Sequence, residues 1–174
     1  ERGGERVEQD VIQALYEAYG QELYLYLYSL CGQKAVAEDL LQDTFLKAML
    51  SLPRGHGNVR AWLYTVARNL FFNYRKREER ESPREELPEG FSPDDGMESV
   101  LRTERNRLLY QGLCSLDIRK REILEMQYFG GLSLKEIARV LGLSQENVRV
   151  QSHRGRKQLK SFMEGHGYDV SGND

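Results

Sequence analysis

An all-α fold in two small helical bodies is what this sequence predicts, on three observations. Large apolar residues recur every three or four positions over most of the chain, as in Val11, Leu15, Tyr19, Leu23, Leu27 and Leu30, which is the spacing that lines one face of a 3.6-residue turn. No segment demands a strand: the octet "LYLYLYSL" over 23–30 alternates large residues, yet Leu23, Leu27 and Leu30 keep the i, i+4, i+7 rule. Finally, three of the four prolines (Pro83, Pro88, Pro93) fall in "EERESPREELPEGFSPDDGMES", where large apolar residues are scarce and no period can be found. Such a stretch reads as a linker, since a structureless loop of that length inside one compact domain would be unusual. The predicted organisation is therefore a body over 5–79, an acidic proline-containing linker over 80–97 and a body over 98–166.

The first body reads as four helices. Val11, Leu15 and Tyr19 mark the first, and Leu23, Leu27 and Leu30 the second. Leu40, Leu41, Phe45, Met49 and Leu52 mark the third, and Trp62, Leu63, Val66 and Leu70 the fourth. Between the last two, "LPRGHGNVRAW" carries a proline and two glycines that interrupt the chain.

The second body also reads as four helices, over about 98–113, 117–129, 134–141 and 145–163. Gly130 and Gly131 end the second of them, and Ser133 with Glu136 makes the S-x-x-E capping box that opens the third. Gly142 then turns the chain, and Ser144 is placed to cap the last helix. With Ile137, Ala138 and Leu141 inward on the short helix and Val148, Ser152, Gly155, Leu159 and Phe162 in a stripe on the long one, this is the pattern of a helix-turn-helix. Charge separates it from an ordinary helix pair. From Asn147 to Met163 there is no acidic residue, while Arg149, Arg154, Arg156, Lys157 and Lys160 appear with His153 among them. A cationic run on the second helix of such a motif points to DNA.

The formal net charge of -2 conceals this division. Nine acidic residues and two arginines lie between Glu78 and Glu98, about -7 net, which leaves the rest of the chain about +5. At 174 residues, 40% hydrophobic and 30% charged, the composition is that of a globular protein. No apolar run reaches the roughly 20 residues of a membrane span, and "ERGGERVEQD" lacks the apolar core of a signal peptide. No membrane insertion and a cytoplasmic location are expected. Cys31 and Cys114 show no metal-binding or redox spacing and read as buried free thiols.

Two further segments carry candidate chemistry. "NVRAWLYTVARNLFFNYRKR" interleaves Trp62, Tyr64, Phe71, Phe72 and Tyr74 with Arg60, Arg68, Arg75, Lys76 and Arg77. The aromatics are either core or platforms on which unpaired bases stack beside phosphate-seeking cations. "AEDLLQDTFLKAM" buries Leu40, Leu41 and Phe45 and presents Glu38, Asp39, Gln42, Asp43 and Lys47. No carboxylate pair has a histidine near it, no phosphate-cradling glycine loop follows a strand, and no Ser/His/Asp set presents itself. Neither a catalytic residue nor a cofactor or metal site is assigned.

Together these segments resemble the extracytoplasmic-function (group IV) sigma factors of bacterial RNA polymerase, in the family's order and over nearly the whole chain. "AEDLLQDTFLKA" is similar to the region 2 helix that docks on the β′ clamp helices. "RAWLYTVARNLFFNYRKR" is similar to the segment that melts and reads the minus-10 element, and "SLDIRKREILEMQYFGGLSLKEIARVLGLSQENVRVQSHRGRKQL" to region 4, which reads the minus-35 element. The resemblance implies a non-enzymatic factor that binds core polymerase, at the β′ clamp helices and the β flap, and promoter DNA, with an anti-sigma factor as a further partner. It places Arg149, Val150 and His153 on base edges of the minus-35 element and Arg154, Arg156 and Lys157 on phosphates. It assigns Arg54, His56, Asn58, Arg60, Trp62, Asn69 and Asn73 to the minus-10 element, and Asp39, Leu40, Gln42, Asp43 and Lys47 to polymerase. Ser152 and Gly155 depart from the family, which commonly has a large apolar residue and alanine there. The recognition helix is expected to pack closely and to lose about 1 kcal/mol of helix propensity at the glycine. A dimeric helix-turn-helix regulator that binds duplex DNA without polymerase is the alternative; it leaves "AEDLLQDTFLKA" and the aromatic-basic helix without a purpose.

Overall fold

The computed structural model describes residues 2–53, 57–81 and 101–170, and every regular element among them is α-helical. The chain divides into two compact units, Glu1–Glu89 and Gly90–Asp174.

Three helices build the first unit: α1 (Arg2–Cys31), α2 (Lys34–Ser51) and α3 (Val59–Glu81), each packed on the other two. The two helices expected before Cys31 are one. The row Val11, Leu15, Tyr19, Leu23, Leu27 advances by four residues without a slip, so a single helix carries it through Gly20. The octet over 23–30 is helical and buried throughout. A helix apolar on all sides is one enclosed by neighbours, and the alternating tyrosines serve that end: Tyr26 meets Tyr64 of α3 edge to face, with ring centroids 5.2 Å apart. Tyr16 meets Phe45 of α2 in the same way at 5.1 Å. Gly32, at φ 66, makes the turn into α2, and only a residue without Cβ adopts that conformation freely.

The second unit holds α4 (Glu104–Cys114), α5 (Ile118–Tyr128), α6 (Leu134–Leu141) and α7 (Gln145–Gly165). Each begins at a side-chain cap, from Thr103, Asp117, Ser133 and Ser144 in turn, which satisfies amide donors that the first turn leaves open. Thr103 also fixes the start of α4, six residues later than the expected 98. The core joins Leu108, Leu113, Leu116, Leu124, Leu159 and Met163. Arg121 closes the far end of α4, donating from Nη2 to the carbonyls of Cys114 at 2.8 Å and Leu116 at 2.9 Å.

Both cysteines are free, Cys31 buried and Cys114 half-buried. Burial raises the Cys31 thiol, and burial together with the Glu125 carboxylate pushes Cys114 up to about 12 against the lowering effect of Arg121. Thiolate, the reactive form, is therefore suppressed at both. The expected linker begins inside α3, which runs to Glu81, and its remaining residues lie outside the described ones.

Candidate nucleic-acid and polymerase interfaces

The helix-turn-helix is α6, the turn at Gly142 and α7. Ser133 and Glu136 form both bonds of the capping box, Glu136 N to Ser133 Oγ at 3.2 Å and Ser133 N to Glu136 Oε2 at 2.7 Å. Gly142 closes α6 at φ 65, and two residues later Ser144 Oγ accepts from the Asn147 amide at 3.1 Å to open α7. That spacing leaves no slack, so the start of α7 is fixed relative to α6.

On α7 the buried row is Val148, Ser152, Gly155, Leu159 and Met163. The expected stripe ended on Phe162 instead; that ring is only partly buried against the core. Ser152 lies in this seam without penalty because its Oγ donates to Gln127 Oε1 of α5 at 2.7 Å. Gly155 allows a close approach of the two helices. A Cβ there would stand 3.0 Å from Leu124 Cδ1 and 3.3 Å from Lys120 Cβ.

The opposite arc of α7 carries the predicted DNA residues. Arg149, His153, Arg154, Arg156 and Lys157 are exposed and Val150 is half-buried. Sequence reasoning missed the acid that joins them. Glu146, one residue before the acid-free run, accepts from Arg149 at both oxygens, Nη2 at 2.6 Å and Nε at 3.0 Å. Its spacing of three from Arg149 was the available signal.

In the first unit Asn58 caps α3, its Oδ1 accepting from the Ala61 amide at 3.1 Å. Arg60 is drawn back onto α1: its Nε lies 3.1 Å from Glu22 Oε1, in ionic contact without hydrogen-bond alignment, and its guanidinium carbon 5.0 Å from the Tyr19 ring centroid. Burial pushes the Glu22 carboxyl up to about 7, more than Arg60 lowers it. Of the aromatics, Tyr64 and Phe71 are core, whereas Trp62, Phe72 and Tyr74 are half-buried. Arg68 lies over Phe72, 4.6 Å from its centroid. Asn69 and Asn73, one turn apart, are exposed. Arg54 and His56 lie outside the described residues.

On α2, Asp39, Gln42, Asp43 and Lys47 are exposed, and Leu40 is buried beneath them. Met49 was expected inside, yet it is exposed together with Leu46 and Leu50, the last at 85%. The row Asp39, Asp43, Leu46, Leu50 thus runs from acidic to apolar along one face, and exposed apolar groups beside charged ones are a usual mark of an interaction surface. Among the described residues no helix is long and apolar enough to cross a membrane, and no group of three or more metal-ligating side chains converges.

This arrangement of a three-helix unit and a helix-turn-helix unit matches two family profiles, Sigma-70 region 2 over residues 15–81 and Sigma-70, region 4 over residues 106–159. The RNA polymerase sigma factor YlaC of Bacillus subtilis (strain 168) is 36% identical over 160 residues, covering 88% of this chain and 92% of its own. The ECF RNA polymerase sigma factor SigM of the same organism is 30% identical over 153 residues, covering 87% and 94%. Among solved structures, the sigma factor RpoE in complex with the anti-sigma factor NepR, from Bartonella quintana, shares the fold, with a TM-score of 0.74 at 23% identity over 90% of this chain and 98% of that one. CnrH in complex with the cytosolic domain of CnrY gives a TM-score of 0.63 at 25% identity, covering 90% of each chain. The chain belongs to the extracytoplasmic-function sigma factors of the sigma-70 family. It is a sigma factor, which binds RNA polymerase and directs it to promoters to initiate transcription.

Proposed function

We propose that three surfaces of this sigma factor divide the work. The outward row of α2, Asp39, Gln42, Asp43 and Lys47, holds core polymerase, with Leu40 supporting it from below. The outward side of α3, with Asn69 and Asn73, and the residues that lead into it, Asn58, Arg60 and Trp62, engage the minus-10 element, as do Arg54 and His56. The exposed arc of α7 reads the minus-35 element, with Arg149, Val150 and His153 toward bases and Arg154, Arg156 and Lys157 toward phosphates. The observation that carries this reading is that arc: every basic side chain from Arg149 to Lys160 stands exposed, on a helix seated through its other side. The units divide as 5–79 and 98–166 around the acidic segment, phosphodiester chemistry is left to polymerase, and the protein works in the cytoplasm. Because RpoE and CnrH are held by NepR and CnrY, an anti-sigma protein is a further partner on this reading.

Purified core polymerase tests it. The wild-type chain supports run-off transcription from a cognate promoter. Asp39→Lys with Asp43→Lys abolishes co-elution with core polymerase at unchanged helix content, because both carboxylates are exposed and reverse without cost to the core. Undiminished co-elution removes α2 from the polymerase interface.

A further inference from the structure

Glu146 occupies the second position of α7, directly before the acid-free run, and its side chain and that of Arg149 are each 66% exposed. A solvated pair of this kind contributes little to folding. Its place on the helix is more informative. Glu146, Val150, His153 and Lys157 follow one another at spacings of four, three and four, so they form one row along α7. The carboxylate therefore stands among the side chains assigned to the DNA, where a negative charge opposes binding to a polyanion. A carboxylate in the first turn also suits the helix dipole, and its two-oxygen contact with Arg149 gives it a second effect, on how the arginine is presented.

The geometry indicates how. A guanidinium has five N–H donors in a rigid fork. Glu146 engages Nε and Nη2 of Arg149 through its two oxygens, which holds the plane of the fork and leaves the Nη1/Nη2 end available. Two parallel donors of that kind match O6 and N7 of guanine in the major groove. The same carboxylate repels a phosphate that would otherwise draw the arginine aside. The hydrogen bonds from Arg149 keep the Glu146 carboxyl below its usual range, so it stays ionised wherever DNA binding is measured.

We infer that Glu146 is a specificity-determining residue of the minus-35 interface: it holds Arg149 end-on to a guanine and away from phosphate, exchanging general affinity for base discrimination. The inference rests on the reading of α7 as the minus-35 helix. The test uses the full chain and a panel of minus-35 duplexes in which each base pair is replaced in turn, with binding read by fluorescence anisotropy at several salt concentrations. Arg149→Ala removes the preference for guanine at one position. Glu146→Gln, which keeps the side-chain shape, reduces that preference about tenfold while tightening binding to unrelated duplex. The double variant matches Arg149→Ala in base preference, because Glu146 discriminates between bases only through the arginine, although the lost negative charge leaves it binding all duplexes more tightly. If Arg149→Ala loses the preference and Glu146→Gln keeps it, Glu146 is only a helix-terminal ion pair and the inference fails. If Arg149→Ala keeps the wild-type preference at every position, the reading of α7 itself fails. Melting of each variant, followed by circular dichroism, separates either result from loss of fold.

Discussion

Glu22 shows how a single carboxyl can set the pH response of a helical unit. Its side chain is only 13% exposed, and burial outweighs the attraction of Arg60 to push its pKa up to about 7 from 4.5. Because the folded value is raised, the folded state binds a proton that the unfolded chain has already released between those two values, and stability falls as pH rises through that window. Below about pH 4.5 and above about pH 7 this group contributes no slope. Melting temperature measured from pH 4.5 to 8 should decline across the window in the wild type relative to Glu22→Gln, which cannot titrate. Parallel curves for the two proteins would show that Glu22 titrates alike in the folded and unfolded chain. Nothing in the sequence announces this pair, since 38 positions separate Glu22 from Arg60 and only the packing of α1 on α3 joins them. The buried Glu122 and Glu125 of α5 are hidden for a similar reason: "IRKREILEMQY" has charges all round, and no pattern marks which of them the neighbouring helices cover.

At the scale of elements, the helices most legible in the sequence are those whose ends are written in side chains. α6 and α7 begin where Ser133 and Ser144 say they should, and α6 ends at Gly142. Where a cap was overlooked, as with Thr103, the boundary moved by a turn and a half. Gly20 does not break α1 despite its low helix propensity, because the four-residue apolar row runs through it without interruption. Glycine misleads because its role depends on what a Cβ would meet. At Gly112 of α4 an added Cβ would lie 2.5 Å from Leu159 Cδ1 and 2.8 Å from Phe162 Cδ1 of α7. Gly112→Ala should therefore destabilise the second unit by about 1–3 kcal/mol despite the better helix former. Gly165, the last residue of α7, has nothing within 4 Å of such a Cβ, and alanine there should be neutral or stabilising by up to about 1 kcal/mol. Denaturant unfolding of the two variants decides the matter, and equal effects would mean that the α4–α7 approach is not a tight one.

The whole molecule presents an electrostatic problem, because a chain of formal charge -2 must approach DNA. The carboxylates between Glu78 and Glu98 make the difference: without that segment's net charge of about -7, the remainder is mildly basic. Long-range attraction depends on the summed field and is damped beyond a Debye length of about 10 Å at 0.1 M salt. At low salt, therefore, the acidic segment should weaken the encounter of the free chain with DNA, while at high salt the local contacts of α7 should dominate. Converting Glu85, Glu86, Glu89, Asp94 and Asp95 to their amides raises the formal charge by five, to about +3. In the absence of polymerase this variant should bind a minus-35 duplex several-fold more tightly at 20–50 mM salt, with the gain disappearing by about 0.3 M. Core polymerase would alter that balance by surrounding the DNA-bound chain with its own charges, so the advantage should shrink in the holoenzyme. The same affinity for both proteins at every salt concentration would mean that the acidic segment does not govern the encounter of the free chain with DNA.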